Sequence, residues 1–97
     1  MVRLFFYMTY SAKISGKVQG VFFRYHTHLN ATTLGISGFV KNLDDGSVYT
    51  EFWSDDEVNL NKFKDWLHRG SPSSKVKEIE FKRVPKIEGS DGFVIHR

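Results

Sequence analysis

Alternation dominates the first part of the chain. Over residues 10–18, Ala12, Ile14 and Val18 fall on one face of an extended segment, and Lys13, Ser15 and Lys17 on the other. A glycine-flanked stretch from Gly16 to Gly20 follows. Residues 22–34 then run without glycine or proline until Gly35. Glycine just past the last turn marks the end of a helix. This helix is intrinsically weak, because Thr27, Asn30, Thr32 and Thr33 are poor helix formers. Packing through Phe23, Thr27, Ala31 and Leu34 must hold it.

Residues 36–41 read as the next strand, and Asp45-Gly46 as the tight turn of a hairpin. Over residues 47–53, Val48, Thr50 and Phe52 alternate with Tyr49, Glu51 and Trp53, the pattern of a half-buried strand. Ser54-Asp55-Asp56-Glu57 reads as a capping box with Ser54 as the cap, which starts a second helix near Asp55. Leu60, Phe63, Trp66 and Leu67 recur at helical spacing, and Gly70-Ser71-Pro72 closes the helix. Residues 76–84 form a fourth strand. Its alternation slips between Val76 and Ile79, the mark of a bulge or a late start. Gly89 to Gly92 reads as a turn and residues 93–97 as a short closing strand.

The element order is therefore β-α-β-β-α-β with a short fifth strand. It contains two successive β-α-β halves. Right-handed crossovers then predict an α+β two-layer sandwich of the ferredoxin-like kind, one antiparallel sheet with both helices on one face. That fold hosts many unrelated functions and decides little by itself.

Composition narrows the class. A chain of 97 residues is one domain by default, and 40% hydrophobic with 15% aromatic content is too apolar for disorder. The absence of cysteine removes disulfides, thiolate catalysis and cysteine-based zinc sites. A net charge of +3 favours anionic ligands without choosing among them. The apolar run from Leu4 to Met8 is far short of the ~20 residues a spanning helix needs, and it lacks the features of a secretory signal. Residues 1–9 are thus read as an extension, residues 10–97 as the domain, and the cytoplasm as the expected location.

Two stretches could carry chemistry. In Gly16-Lys17-Val18-Gln19-Gly20-Val21-Phe22-Phe23-Arg24, a glycine-rich turn joins a strand to a helix. A curled backbone can point several N–H groups inward at an anion, and the helix N-terminus adds partial positive charge. Arg24 supplies a planar guanidinium that grips two phosphate oxygens at once. The spacing matches neither G-x-x-x-x-G-K-[ST] nor G-x-G-x-x-G, and a turn with a solvated arginine remains open. The second stretch, Gly38 to Val48, holds Asn42 just before the hairpin turn. An asparagine there commonly bonds its own backbone. Its amide can also hold and orient a water, because it both donates and accepts.

Together, Gly16-x-Val18-Gln19-Gly20-Val21-x-Phe23-Arg24 and Gly38-x-Val40-x-Asn42-x-x-Asp45-Gly46-x-Val48 resemble the acylphosphatase family. The resemblance runs from about Ala12 to the C-terminus and includes Ala31, Leu34-Gly35, Gly70-x-Pro72, Val76 and Phe93-x-Ile95. It implies hydrolysis of acyl phosphates by a small stand-alone enzyme, a monomer without metal or cofactor. The substrate is a small acyl phosphate, inorganic phosphate is a product, and no membrane or nucleic-acid partner is expected. It implies that Arg24 and Asn42 are the catalytic pair and that the backbone of Lys17, Val18, Gln19, Gly20, Val21, Phe22 and Phe23 cradles the phosphate. Four departures stand out: Phe22 where the family is often small, Ser73-Ser74 in the turn after the second helix, His96 where arginine is frequent, and the apolar N-terminus.

Other candidates weigh less. His26 and His28 lie two apart and share no helical face, and His68 and His96 have no evident partners. Asp44-Asp45 and Asp55-Asp56-Glu57 read as turn and cap residues. RNA-binding domains share this element order, but their K/R-G-F/Y-G/A-F-V-x-F/Y signature is missing, which leaves only Tyr49 and Trp53 on one face. A non-catalytic module sensing a phosphorylated metabolite is the remaining rival, and retention of both Arg24 and Asn42 argues against it.

Overall fold

A computed structural model describes residues 8–85 and 92–96. The N-terminal run before Met8, most of the expected 89–92 turn and Arg97 lie outside the described residues. The elements follow the order β1 (Met8–Lys17), α1 (Phe23–Thr33), β2 (Ser37–Asn42), β3 (Val48–Ser54), α2 (Glu57–Arg69), β4 (Lys75–Arg83) and β5 (Phe93–Ile95). The sheet order is β4-β1-β3-β2-β5. This is the ferredoxin-like arrangement, with one correction to the expected sheet. Strands β1 to β4 pair antiparallel, but β5 joins the β2 edge in parallel, with Gly38 opposite Phe93 and Val40 opposite Ile95. The sheet is therefore mixed. After β4 the chain crosses to the far edge, where it meets β2 running in its own direction.

The core lies between the sheet and the two helices. Ala12, Ile14, Val40, Val48 and Phe52 from the strands meet Phe23, Ala31, Leu60, Phe63 and Leu67 from the helices, all buried. Aromatic rings knit the layers: Phe63 packs edge-on against Phe52 at 4.9 Å and against Phe93 at 6.0 Å, and Phe23 lies 5.6 Å from Trp66. Stability without disulfides rests on this packing.

The poor helix formers of α1 satisfy themselves locally. Thr27 Oγ1 donates to Phe23 O, Asn30 Nδ2 to His26 O and Thr33 Oγ1 to Leu29 O, each one turn back. The buried face, Phe23, Thr27 and Ala31, is the one expected.

Three local expectations shift. Helix α2 is capped by Asp56, whose carboxylate accepts from Asn59 N–H at 3.1 Å, and not by Ser54. Ser54 is still in β3, paired with Met8, so the chain needs two more residues to leave the sheet. Its hydroxyl instead accepts from Asp56 N–H within that bend. Strand β1 begins at Met8 and not at residue 10, because β3 is long enough to pair Met8 and Thr9 with Ser54 and Trp53. The slip in β4 is a bulge. Ser15 faces Glu78 but Gly16 faces Val76, which leaves Lys77 as the extra residue. A Cβ on Gly16 would lie 2.2 Å from Lys75 O, so Gly16 serves this close strand crossing.

Candidate active site

The loop between β1 and α1 turns through two left-handed residues, Gly20 (φ 74°) and Phe22 (φ 58°). Gly20 adopts this freely. A Cβ there would meet nothing within 4 Å, so conformation and not space calls for glycine. Phe22 is the single non-glycine residue with positive φ among the described residues, and it occupies the N-cap of α1. No side chain caps this helix and no acid lies in its first turn. The first-turn N–H groups and the positive end of the helix dipole thus carry no anionic partner among the described residues.

The loop is braced from two sides. Gln19 Nε2 donates to Leu43 O and Ser47 O, both at 2.8 Å, and so ties the loop to the far hairpin. Ser71 Oγ donates to Val21 O at 2.8 Å in a buried contact from the turn after α2. The sequence placed Gln19 in the cradle through its backbone. Its side-chain role went unread, because a latch across 24 and 28 residues leaves no periodic trace.

Asn42 ends β2, paired with Val48. The hairpin closes by Leu43 N–H donating to Ser47 O at 2.9 Å. Asp45 fills the turn: it accepts from the Ser47 hydroxyl and N–H and pairs with Lys13 at 2.9 Å. The Ser47 hydroxyl, then Lys13, then the Ser47 N–H hold the Asp45 carboxyl well below the usual carboxylate range. Asn42 does not bond its own backbone through its oxygen. Asn42 Oδ1 is buried and accepts no hydrogen bond among the described residues. A buried carbonyl oxygen without a donor is costly unless something else supplies one.

Arg24, half-buried one residue into α1, donates from Nη1 to His96 O at 2.9 Å. His96 follows β5, and its N–H donates to Val40 O at 2.8 Å while its ring packs edge-on against Phe39 at 5.0 Å. The far sheet edge therefore steadies a guanidinium 72 residues away in sequence. One Arg24 nitrogen is used this way, and the fork has further donors to offer.

These parts meet in one cleft of about 300 Å³, lined by Val18, Gly20, Phe22, Phe23, Arg24, Tyr25, Asn42 and Ile95. Six of the sequence-predicted residues line it: Val18, Gly20, Phe22, Phe23, Arg24 and Asn42. Lys17, Gln19 and Val21 do not; Lys17 closes β1 opposite Lys75, and Val21 turns into the core. Tyr25 and Ile95 are additions: Tyr25 lies outside both motifs, and Phe93-x-Ile95 belongs to the resemblance without a site role. Tyr25 could have been suspected from its place one residue after Arg24. The place of Ile95 in the cleft could not, because it depends on the parallel β2–β5 pairing.

The other candidates scatter. Each histidine packs on a different aromatic ring: His26 on Tyr25, His28 on Phe93, His68 on Phe81 and His96 on Phe39. Among the described residues no three His, Asp or Glu side chains converge as metal ligands would. The sheet face away from the helices carries Lys13, Lys41, Lys82, Glu51 and Glu80 around Tyr49, charges of both signs. Burial, then the bond to Glu51, pushes the Tyr49 hydroxyl pKa up. Among the described residues no helix is long and apolar enough to cross a membrane.

Known proteins match this architecture along most of its length. A family model described as Acylphosphatase matches residues 10–95. An acylphosphatase of Pseudomonas paraeruginosa is 37% identical over 86 residues, 89% of this chain and 92% of the relative. One from Archaeoglobus fulgidus is 43% identical over 82 residues, 84% and 90% of the two chains. The crystal structure of acylphosphatase from Bacillus subtilis superposes with a TM-score of 0.85 at 36% identity, covering 93% of this chain and 99% of that one. The motifs, the fold and these matches agree: the chain belongs to the acylphosphatase family of hydrolases.

Proposed function

We propose that the cleft hydrolyses acyl phosphates to a carboxylate and inorganic phosphate, with Arg24 and the 17–23 backbone holding the phosphoryl group and Asn42 orienting the attacking water. The reaction makes modest demands. An acyl phosphate is a mixed anhydride whose leaving group is a stable carboxylate, so no general acid is required. The water oxygen bonds to phosphorus as the P–O bond to the acyl group breaks. The electron pair departs with the carboxylate, and the water protons pass to phosphate and solvent. Such transfer is largely positioning plus electrostatic stabilisation of the equatorial oxygens. Arg24 and the uncapped first turn of α1 supply the stabilisation. The chemistry runs without a metal or cofactor.

The observation that most supports this reading is that Asn42, at the end of β2, lines the same cleft as Arg24 and the β1–α1 loop. The Asn42 amide can hold a water whose lone pairs stay free for phosphorus. Gln19 supports the pairing of roles, because its two bonds fix the hairpin that carries Asn42 against the loop that precedes Arg24. The test is Asn42→Ala assayed on benzoyl phosphate. Turnover falls about 100-fold, while competitive inhibition by inorganic phosphate changes little. Full turnover by this variant overturns the water-orienting role. A matching loss of phosphate inhibition assigns Asn42 to binding instead.

A further inference from the structure

Ser71 belongs to the turn after α2, stands outside the cleft lining and is 3% exposed. Its hydroxyl donates to Val21 O at 2.8 Å, across 50 residues of sequence. The turn itself has no need of that hydroxyl. Ser74 closes the turn on the backbone, donating from its N–H and its Oγ to Ser71 O at 2.9 and 2.7 Å. Helix α2 does not need it either, since its last turn ends with Gly70 N–H on Trp66 O. Among the described residues the hydroxyl acts on the β1–α1 loop alone.

There it holds one peptide plane. The bond between Val21 and Phe22 is trans, so its C=O and N–H point in opposite directions. The C=O points to Ser71 on the buried side of the loop. The Phe22 N–H therefore points to the opposite side, that of the cleft, and donates to no group among the described residues. Local sequence does not favour this plane. Turning it over would carry Phe22 from φ 58° back to the negative φ that a side chain prefers. Strain of this kind persists only where the surroundings hold it, and the Ser71 hydroxyl is the contact that does so.

Given the proposed hydrolysis, on which this inference rests, we propose that Ser71 is a positioning residue: its hydroxyl sets the peptide between Val21 and Phe22 so that the Phe22 N–H faces the phosphoryl group. The experiment follows inorganic phosphate on the full chain in two ways, as a competitive inhibitor of benzoyl phosphate hydrolysis and by amide NMR. An inhibition constant does not depend on how much of a preparation is folded, so a lost fold contact alone leaves it unmoved. Ser71→Ala raises it about tenfold, the scale of one hydrogen bond to a charged group. Phosphate shifts the Phe22 amide proton downfield in the unsubstituted chain and leaves it in place in Ser71→Ala. Ser71→Thr keeps the hydroxyl and both readings, and Ser71→Cys, a weak donor of similar size, falls between. An unchanged inhibition constant and an unchanged Phe22 shift in Ser71→Ala overturn the positioning role and leave the hydrolase standing. An unsubstituted chain that neither hydrolyses benzoyl phosphate nor binds phosphate overturns the hydrolase reading and this inference with it.

Discussion

Helix α2 enters its first turn with the Asp56 carboxylate on Asn59 N–H and Glu57 alongside, whereas α1 enters with Phe22 in a left-handed conformation, no side-chain cap and no acid. The α2 end is satisfied by its own sequence, as a structural element should be. The α1 end is left electropositive and faces a cleft, and the loop before it is braced by bonds from Gln19 and Ser71. The hairpin repeats the contrast over three residues. Asp45 is fully engaged by Ser47 and Lys13, while Asn42 Oδ1 is buried with no donor among the described residues. In both comparisons the satisfied member holds the fold, and the unsatisfied one lines the cleft.

The contrast is broken hardest at Arg24. Arg24→Ala lowers kcat/KM on benzoyl phosphate about 1000-fold, in the range of a lost preorganised donor, while the melting temperature moves little. A large fall in melting temperature with modest loss of turnover would reverse the assignment of this helix end. At the other helix the outcome inverts. Asp56→Ala costs about 1 kcal/mol of stability in urea unfolding, with kcat/KM per folded molecule unchanged.

Smaller effects sharpen the picture. Phe22→Gly relieves the left-handed strain and raises stability by about 0.5–1 kcal/mol, since an exposed ring gives up little burial. A loss of stability would mean that the ring serves the fold. The smallest effect is the pH response of the hairpin. The Asp45 pKa is lowered in the folded chain. Its contribution is therefore present above the ordinary carboxylate value and is lost as pH falls below it towards the folded value. The Lys13 pKa is raised, first through its bond to Asp45, so its part is present at neutral pH and lost as pH rises past the ordinary lysine value. Asp45→Asn should flatten the acid limb of stability slightly, and added salt should weaken the Lys13 part, because both groups face water. An acid limb identical in the two proteins would show that the turn is held by its backbone alone.

Much of this was legible in the chain itself. The 2-residue and 3.6-residue periods set the order of elements, and Gly35, Asp45-Gly46 and Gly70 set where they end. The two motifs marked Arg24 and Asn42, although residue chemistry alone left Asn42 divided between a turn and a water site. Such signals are local, and local geometry is what neighbouring residues determine. Local signals misled where sheet pairing overrode them. Ser54 reads as a cap because Glu57 follows it, yet sheet pairing claims Ser54 first and hands the cap to Asp56.

Only the tertiary structure decided the rest. It set β5 parallel against β2, brought the His96 carbonyl to Arg24 across 72 residues, and brought Ser71 to Val21 across 50. It also placed Ile95 with Phe22 and Tyr25 in one cleft. These contacts join single polar or apolar atoms from distant segments, and no repeat along the chain encodes such a meeting. The sequence by itself determined that a strand, a glycine-rich turn and a helix would present Arg24. Long-range pairing determined what steadies Arg24, what stands across the cleft from it, and which of its neighbours remain unsatisfied.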